Sequence, residues 1–326
     1  MKYYISVDSG KYATKGIMRI SRGDSSVNEM SYKSKRFLTR IDTEDVDFGL
    51  LGNDNTHFVC YNGVRYRVGD GAMNESYFET KQEEIHKICT YTMIALFGVN
   101  NGDSVVLGIG CPLSIFKNKR ARIEYQRFMS NNHEPVSLTV DGKRYTFVID
   151  KCVVFPESAG VVYVNYDKYR NRTVGVIDIG GLNTNCCVYQ NIAPLVETVF
   201  TTRLGGKVMS KSLRDTLNSS LNLSTPLTEY QMPEIMKNGY VYDRRDVARQ
   251  TKSKKIIHDY RIKHIQEIYD NCVAHNWAVD NMDIVFVGGT SLLLKEEIKE
   301  VFGVDDTYFY DNADMLNALG FVMALA

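Results

Sequence analysis

Two short segments of this sequence combine an aspartate with glycine, Asp8-Ser9-Gly10 and Asp178-Ile179-Gly180-Gly181. Each segment lies between two apolar runs, which predicts a β-hairpin with the aspartate where its first strand ends. A tight turn of this kind leaves backbone N–H groups pointing one way, and such a nest binds phosphate oxygens. The two carboxylates suit Mg²⁺, which keeps several waters when it binds with phosphates. The turns are therefore candidate phosphate sites, with Asp8 and Asp178 acting on the metal through water.

Several neighbours of the two aspartates have the chemistry that a phosphate site needs, because Lys15 offers a point charge and the turn residues offer donors. These candidates are Ser9, Gly10, Lys11 and Lys15 in the first turn, and Gly180, Gly181, Asn183 and Thr184 in the second. One such turn has a purely conformational explanation, since Asp and Gly dominate turns. Two copies 170 residues apart predict instead an internal duplication with half the chain in each copy.

Two further segments are candidate borders of a bound ligand, Gly288-Gly289-Thr290 and Gly205-Gly206-Lys207. Paired glycines after a buried strand let a ligand approach the backbone closely, but an ordinary strand-to-helix turn explains either segment equally well. The sequence has no GxxxxGK[ST] segment and no GxGxxG segment after a strand, so neither a P-loop nor a dinucleotide fingerprint is expected.

Glu157 is a candidate catalytic carboxylate near the middle of the chain. Residues 153–155 predict a strand that gives way to a helix with Pro156 in its first turn. A glutamate there can orient or activate a water molecule. It can equally be a first-turn acid that the helix dipole favours, and the residues alone leave both interpretations open.

The rest of the pattern predicts alternating strands and helices, with residues 22–56 polar and irregular. Asn62-Gly63 and Asp141-Gly142 are hairpin signals, and His86 and His264 are interpreted as surface or packing residues. The predicted strands are 3–7, 17–20, 58–61, 64–68, 105–109, 136–140, 145–149, 173–177, 185–189 and 284–287. The predicted helices begin near Glu79 and span 117–129, 207–221, 247–275 and 315–325.

Composition excludes several classes of protein. Lys and Arg (39) balance Asp and Glu (39) over 326 residues, so the chain lacks the positive charge of a direct nucleic-acid binder. With 44% hydrophobic residues it is expected to fold rather than stay disordered. No apolar stretch is long enough to span a membrane, and Asp8 comes too early for a secretory signal. The seven cysteines show no metal or disulfide spacing, which favours a reducing cytoplasm.

Five segments occur in an order that resembles the nucleotide-site segments of the actin superfamily, namely phosphate 1, connect 1, phosphate 2, adenosine and connect 2. They are Asp8-Ser9-Gly10 with Lys15-Gly16, Pro156-Glu157-Ser158-Ala159-Gly160, Asp178-Ile179-Gly180-Gly181, Val287-Gly288-Gly289-Thr290, and Asn317-Ala318-Leu319-Gly320-Phe321. Chain length and the segment Gly108-Ile109-Gly110-Cys111-Pro112-Leu113-Ser114 look most like ParM-type bacterial actins, which segregate plasmids.

The resemblance implies an α/β, actin-like ATPase fold, with two related domains around a nucleotide cleft. Domain I would comprise residues 1–163 and 308–326, and domain II residues 164–307. Asp8 and Asp178 would act on Mg²⁺, Glu157 on the attacking water, and Lys15 on a phosphate. The segments Gly205-Gly206-Lys207 and Gly288-Gly289-Thr290 would border the nucleoside of ATP or GTP.

The same resemblance implies a filament built from copies of this chain, and a plasmid-encoded DNA-binding adaptor at the filament ends. It implies neither direct nucleic-acid binding nor a membrane partner. Other proteins of this superfold remain alternatives. A sugar- or acetate-type kinase would need an acceptor site, a chaperone ATPase would need a substrate domain, and a cell-shape actin usually carries an amphipathic membrane segment.

Overall fold

The computed structural model of the protein describes residues 1–20, 31–43, 55–76, 78 and 80–325. The chain divides into two compact units, one formed by Met1–Asp167 with Met315–Ala326 and the other by Lys168–Asp314. The sequence-based boundaries were expected at 163/164 and 307/308. Each unit holds one β-sheet together with the helices that pack on it, so each has a hydrophobic core of its own.

The strands of the described residues fall into two sheets, one in each unit. In the first unit they are β1 Lys2–Ser9, β2 Ala13–Ile20, β3 Ser31–Leu38, β4 Ile41–Asp42, β5 Thr56–Tyr61, β6 Val64–Gly69, β7 Asp103–Cys111, β8 Val136–Val140 and β9 Lys143–Pro156. In the second unit they are β10 Thr173–Ile179, β11 Thr184–Gln190, β12 Ala193–Pro194, β13 Phe200–Thr202 and β14 Asp283–Val287.

The helices of the described residues are longest in the second unit. In chain order they are α1 Glu84–Leu96, α2 Leu113–Lys117, α3 Lys119–Met129, α4 Gly160–Val164, α5 Tyr166–Tyr169, α6 Gly206–Ser220, α7 Met232–Asn238, α8 Val247–Ala274, α9 Gly289–Leu293, α10 Lys295–Phe302 and α11 Leu316–Met323. Short 3-10 helices lie at Asn131–His133, Val196–Thr198, Glu229–Gln231, Val279–Asn281 and Asp306–Tyr308. Within the described residues, no helix is both long and apolar enough to cross a membrane.

The centre of the first sheet is parallel and deeply buried. Its strand order is β3-β2-β1-β7-β9-β8-β5-β6-β4, and β7 pairs in parallel with both β1 and β9. Val, Ile and Leu side chains fill these strands, as expected for a sheet covered on both faces. The carboxyl ends of β1, β7 and β9 consequently lie along one edge of the sheet, where each strand is followed by a loop.

The second sheet repeats part of this arrangement with fewer strands. Its order is β12-β11-β10-β14, and β13 pairs with β11. The pair β10 and β11 is antiparallel like β1 and β2, and β14 lies parallel to β10 as β7 lies parallel to β1. Side chains from α6, α7, α8 and α10 join its core.

Most of the predicted hairpins are confirmed. Residues 3–7 and 17–20 fall within β1 and β2, and the turn Asn62-Gly63 connects β5 to β6 with positive φ at both residues, as a tight hairpin requires. The prediction for residues 22–56 is wrong where the structure describes them. β3 forms there as a polar edge strand with only Phe37 buried, so its sequence lacks an apolar pattern. Residues 22–30 and 44–54 lie outside the described residues.

The prediction for Pro156 is also wrong. Pro156 is the last residue of β9, which runs unbroken from Lys143 and pairs with Cys111 at its end. α4 begins only at Gly160. Proline fits there because a strand end can forgo a ladder N–H. Glu157 therefore stands in the strand-to-helix turn and not in the helix, which removes the helix-dipole explanation for it. The start predicted for α1, Glu79, lies outside the described residues, and the helix begins at Glu84.

Candidate functional site

The two aspartate turns have the same hydrogen-bond pattern. In the first unit the Gly10 N–H donates to the carbonyl of Ala13 at 3.1 Å, and in the second the Gly180 N–H donates to that of Asn183 at 2.9 Å. The donors and the acceptors are each 170 residues apart. Asp8 faces Lys15 across one hairpin and Asp178 faces Asn185 across the other. The duplication inferred from the sequence is thus present as backbone geometry.

The first unit brings Asp8 and Glu157 to the same edge of its sheet. Asp8 is the buried residue before the last in β1, and Glu157 follows β9, on the other side of β7. The Glu157 N–H donates to the carbonyl of Cys111 at 2.9 Å, which fixes the turn to the end of β7. Both carboxylates are nearly buried, with 5% of Asp8 and 8% of Glu157 exposed. Ser158 next to Glu157 has φ of +74°, a costly backbone state of the kind that concentrates at functional sites.

Lys81 joins these two carboxylates, and the sequence patterns did not identify it. Its Nζ lies 3.4 Å from Asp8 Oδ1 and also forms an ion pair with Glu157 Oε1. Burial alone disfavours the charged form, but the carboxylates of Glu157 and Asp8 outweigh it and hold the pKa of Lys81 above its ordinary value. Lys81 comes just before α1, where the helix dipole repels a cation. No local pattern in the sequence marks this lysine, because its two carboxylate partners come from distant strands.

Ser9 lies in a chain of buried hydroxyl groups that ends at His86 on α1. Ser9 Oγ is 3.0 Å from His86 Nδ1 and 3.1 Å from Thr14 Oγ1, which in turn lies 2.9 Å from Thr39 Oγ1. Burial lowers the pKa of His86 well below its ordinary value, and the charges of Lys81 and Lys11 lower it further. His86 is therefore neutral at pH 7 and packs beneath the turn, which matches its interpretation as a packing residue.

The two lysines predicted around the first turn differ in their surroundings. Lys15 stands opposite Asp8 on β2, half-buried, and no hydrogen bond or ion pair of its ammonium is found among the described residues. Lys11 lies within the turn itself and is close enough to His86 to affect its pKa. The first turn thus carries two positive charges beside one aspartate.

The second unit gathers three of the predicted segments around its own turn. The Gly205 N–H donates to the Leu182 carbonyl at 3.1 Å, the Gly206 N–H to Gly180 at 3.0 Å, and the Lys207 N–H to Gly181 at 2.7 Å. These three hydrogen bonds stabilise the turn, together with the bond from the Gly180 N–H to the Asn183 carbonyl. In contrast, no acceptor within the described part of the chain is found for the N–H groups of Gly181, Leu182 and Asn183. The nest predicted here is therefore limited to residues 181–183.

Gly288 packs directly against Asp178. Its φ is +86°, and a Cβ atom at this position would lie 2.5 Å from Asp178 Oδ1 and 2.5 Å from the Ile179 carbonyl oxygen. Only glycine fits here, because both the backbone conformation and the space exclude a side chain. Thr290 Oγ1 donates to the Gly180 carbonyl at 3.0 Å, whereas Gly289 is exposed. This segment thus shapes the aspartate turn.

Two helices of the first unit that carry predicted segments cross with their backbones in contact. A Cβ on Gly160 in α4 would lie 2.2 Å from the Leu316 carbonyl oxygen, and one on Gly320 in α11 would lie 2.3 Å from the Gly160 carbonyl oxygen. The Gly160 N–H also donates to Asn317 Oδ1 at 3.3 Å. The segments that resemble connect 1 and connect 2 therefore pack against each other, and α4 follows Glu157 directly in the chain.

The donor set fits a magnesium ion held through water and does not fit a direct protein cage. Within the described residues, no three His, Cys, Asp or Glu side chains cluster as a metal site. Mg²⁺ bound with phosphates needs only one or two carboxylates, because water and phosphate fill the remaining positions. Asp8 in the first unit and Asp178 in the second each offer a hard oxygen donor of this kind, and Asp8 already holds one cation, the ammonium of Lys81.

Comparisons with known proteins identify the fold. Residues 6–160 match the profile of the N-terminal domain of actin-like proteins. The chain resembles an Alp12 filament structure with 24% identity over 99% of this chain and 98% of the other, and a TM-score of 0.70. It resembles an archaeal actin homologue with 17% identity over 98% of each chain and a TM-score of 0.76. A 15-stranded ParM filament from Clostridium botulinum matches with 18% identity over 99% of each chain and a TM-score of 0.72.

A search of the curated proteins by sequence found no significant match. The structural likenesses nevertheless span almost the whole chain in each case. The actin-like fold, predicted from five short segments, and the resemblance to ParM-type actins, predicted from chain length and residues 108–114, are confirmed.

Proposed function

We propose that this chain, which has the actin-like fold and matches the actin-like N-terminal domain over residues 6–160, is a filament-forming ATPase that moves plasmid DNA apart. The observation that carries the proposal is the repeated aspartate hairpin, closed by the same Gly N–H to carbonyl hydrogen bond at Ala13 and at Asn183. Each copy presents one nearly buried carboxylate, Asp8 or Asp178, beside a turn suited to phosphate.

Hydrolysis of a terminal phosphate depends on positioning and charge neutralisation more than on covalent chemistry. Magnesium, when bound, would neutralise phosphate charge, and Asp8 and Asp178 would hold its waters. The free N–H groups of Gly181 and Asn183 would donate to phosphate oxygens, and Lys15 would add a positive charge. Glu157 would orient the attacking water and accept its proton, and the hydrogen bond from its backbone N–H to the Cys111 carbonyl fixes this residue at the strand end.

Known relatives of the fold support both nucleotide binding and assembly. One archaeal actin homologue of this fold was solved in complex with ADP, and the Alp12 and Clostridium botulinum ParM structures are filaments. We infer that this chain polymerises with Mg-ATP or Mg-GTP bound and disassembles after hydrolysis. Identical subunits joined by heterologous contacts form an open filament whenever the rotation between them does not close.

The same proposal assigns DNA binding to a partner and locates the protein in the cytoplasm. The chain has equal numbers of basic and acidic residues, so it lacks the surplus of Lys and Arg that neutralises DNA phosphates. A plasmid-encoded DNA-binding adaptor would therefore connect the filament ends to the plasmid.

The test combines right-angle light scattering, pelleting and phosphate release on the purified chain with Mg-ATP, Mg-GTP, Mg-ADP or no nucleotide. We expect assembly with a triphosphate, followed by loss of scattering as phosphate is released. Absence of assembly at every protein concentration tried would reject the filament. Phosphorylation of a sugar or acetate in the same samples would assign the chain to the kinases of this superfold instead.

A further inference from the structure

The ammonium of Lys81 stands where a cation would be held by the two carboxylates of the first unit. Lys81 is 2% exposed, and its Nζ contacts both Asp8 Oδ1, at 3.4 Å, and Glu157 Oε1. One carboxylate follows β1 and the other follows β9, and β7 separates the two strands in the sheet. The lysine therefore bridges two carboxylates that follow different strands of the same sheet.

A buried ammonium between two carboxylates is a poor way to stabilise a fold. Taking three charged groups out of water costs more free energy than their attraction returns unless the geometry is excellent, and apolar replacements are often neutral or stabilising. In addition, Lys81 precedes the N-terminus of α1, where the dipole repels a positive charge. A buried cation kept in this place at such a cost points to a role in the site itself.

We propose that Lys81 is a built-in counter-ion that occupies the cation position between Asp8 and Glu157 and excludes a free divalent metal until a nucleotide arrives. Because the lysine is tethered, its local concentration far exceeds that of a free ion in solution. The proposal rests on the proposed function only for the identity of the incoming group, a metal–phosphate complex. Such a complex releases Asp8 and Glu157 and offers the ammonium a new anionic partner.

The consequence is that metal and nucleotide bind together or not at all. An isolated Mg²⁺ or Mn²⁺ ion would have to displace Lys81 from Asp8 and Glu157, which are its ion-pair partners among the described residues. A metal–nucleotide complex carries its own phosphate oxygens and so compensates the displaced charge. Removing the ammonium while keeping its stem should turn the pair Asp8 and Glu157 into a metal site that needs no nucleotide.

The test measures Mn²⁺ binding to the full, nucleotide-free chain by electron paramagnetic resonance of the free ion. Lys81→Met keeps the bulk of the side chain and removes the charge, and the double variant Lys81→Met with Glu157→Gln removes one carboxylate as well. Lys87→Met is the matched control, because Lys87 lies on α1 and contacts the Phe128 ring at 4.7 Å, away from both carboxylates.

We expect Lys81→Met to bind Mn²⁺ at least about tenfold more tightly than the wild type, a change of one decade in Kd. The double variant and Lys87→Met should bind as weakly as the wild type. Equal binding by Lys81→Met and the wild type, with circular dichroism showing both folded, would overturn the proposal.

A replacement variant and a measurement on the wild type complete the test. If Lys81→Met does not fold, Lys81→Gln replaces it, since its amide donates to a carboxylate without carrying charge. Tight Mn²⁺ binding by the wild-type chain without nucleotide overturns the proposal whatever the variants do. No arm uses nucleotide or assembly, so the outcome is independent of whether the chain hydrolyses ATP or forms filaments.

Discussion

The ammonium of Lys81 lies 3.4 Å from Asp8 Oδ1, although 73 residues separate the two in the chain. The parallel pairing of β1, β7 and β9 brings the ends of three distant strands to one edge of the sheet, where Lys81 contacts Asp8. Glu157 enters from the third of these strands and completes the cluster. Residues from widely separated parts of the sequence thus form one charged group in the first unit.

Glu157→Ala is predicted to slow phosphate release by about 100-fold, the usual contribution of a general base. Glu157→Gln should retain part of the rate, because an amide oxygen still orients water but accepts a proton poorly. Both variants should bind nucleotide normally and form polymers that persist longer. The measurement is phosphate release alongside the decay of light scattering, and a wild-type rate in Glu157→Ala would remove this residue from the mechanism.

Asp178→Asn is predicted to weaken Mg-dependent nucleotide binding by about tenfold or more, since the amide binds metal-held water less strongly than a carboxylate does. The control is Asp283→Asn in the same sheet, where the carboxylate pairs with the exposed Arg172 at 3.4 Å. Titration of a fluorescent nucleotide with and without Mg²⁺ measures the effect. Equal affinities for Asp178→Asn and the wild type would count against the metal role.

Local signals in the sequence predicted the two aspartate hairpins and the turn Asn62-Gly63, because tight turns restrict residue type strongly at each position. Lys81 escaped prediction because its two carboxylate partners are non-local, and only the strand order brings them together. β3 was not predicted because an edge strand with mostly polar side chains shows no alternation of apolar and polar residues. Long-range pairing and polar edges are therefore what the residues alone left undetermined.

The glycine segment after β14 shows the same limit in another form. Its composition predicted close approach of a ligand to the backbone, and the structure shows in addition that Gly288 lies directly against Asp178 and Ile179. The ligand contact of this segment stays a prediction, and the protein neighbour of Gly288 is what the residues alone did not identify. The neighbour is set by the parallel pairing of Asp178 with Val287, which no local pattern encodes.

Gly288→Ala is predicted to lower the free energy of unfolding by about 2–4 kcal/mol, through a positive φ and the overlap with Asp178 Oδ1. The adjacent Gly289→Ala is the control. A Cβ there has its nearest neighbour at 3.7 Å, from the side chain of Asp314, and the effect should stay within about 0.5 kcal/mol. Urea unfolding measures both variants. Equal stabilities would show that the turn adjusts freely around Asp178.

Because His86 is buried, we predict that the fold loses stability in acid. Its pKa lies well below the ordinary value of 6.5, first because of burial and then because of Lys81 and Lys11. Below pH 6.5 the unfolded chain binds a proton that the folded chain does not bind. Stability is therefore fully present above pH 6.5 and falls with acid, at up to about 1.4 kcal/mol per pH unit from this group.

His86→Asn should remove that part of the pH dependence, whereas His258→Asn at an exposed position of α8 should leave it unchanged. His264 contributes a second, smaller share, because burial also lowers its pKa. Some slope should therefore remain in His86→Asn. Urea unfolding at intervals between pH 5 and 8 gives the slopes directly. If His86→Asn and the wild type lose stability in parallel below pH 6.5, the histidine takes up its proton without cost and the charges of Lys81 and Lys11 do not act on it.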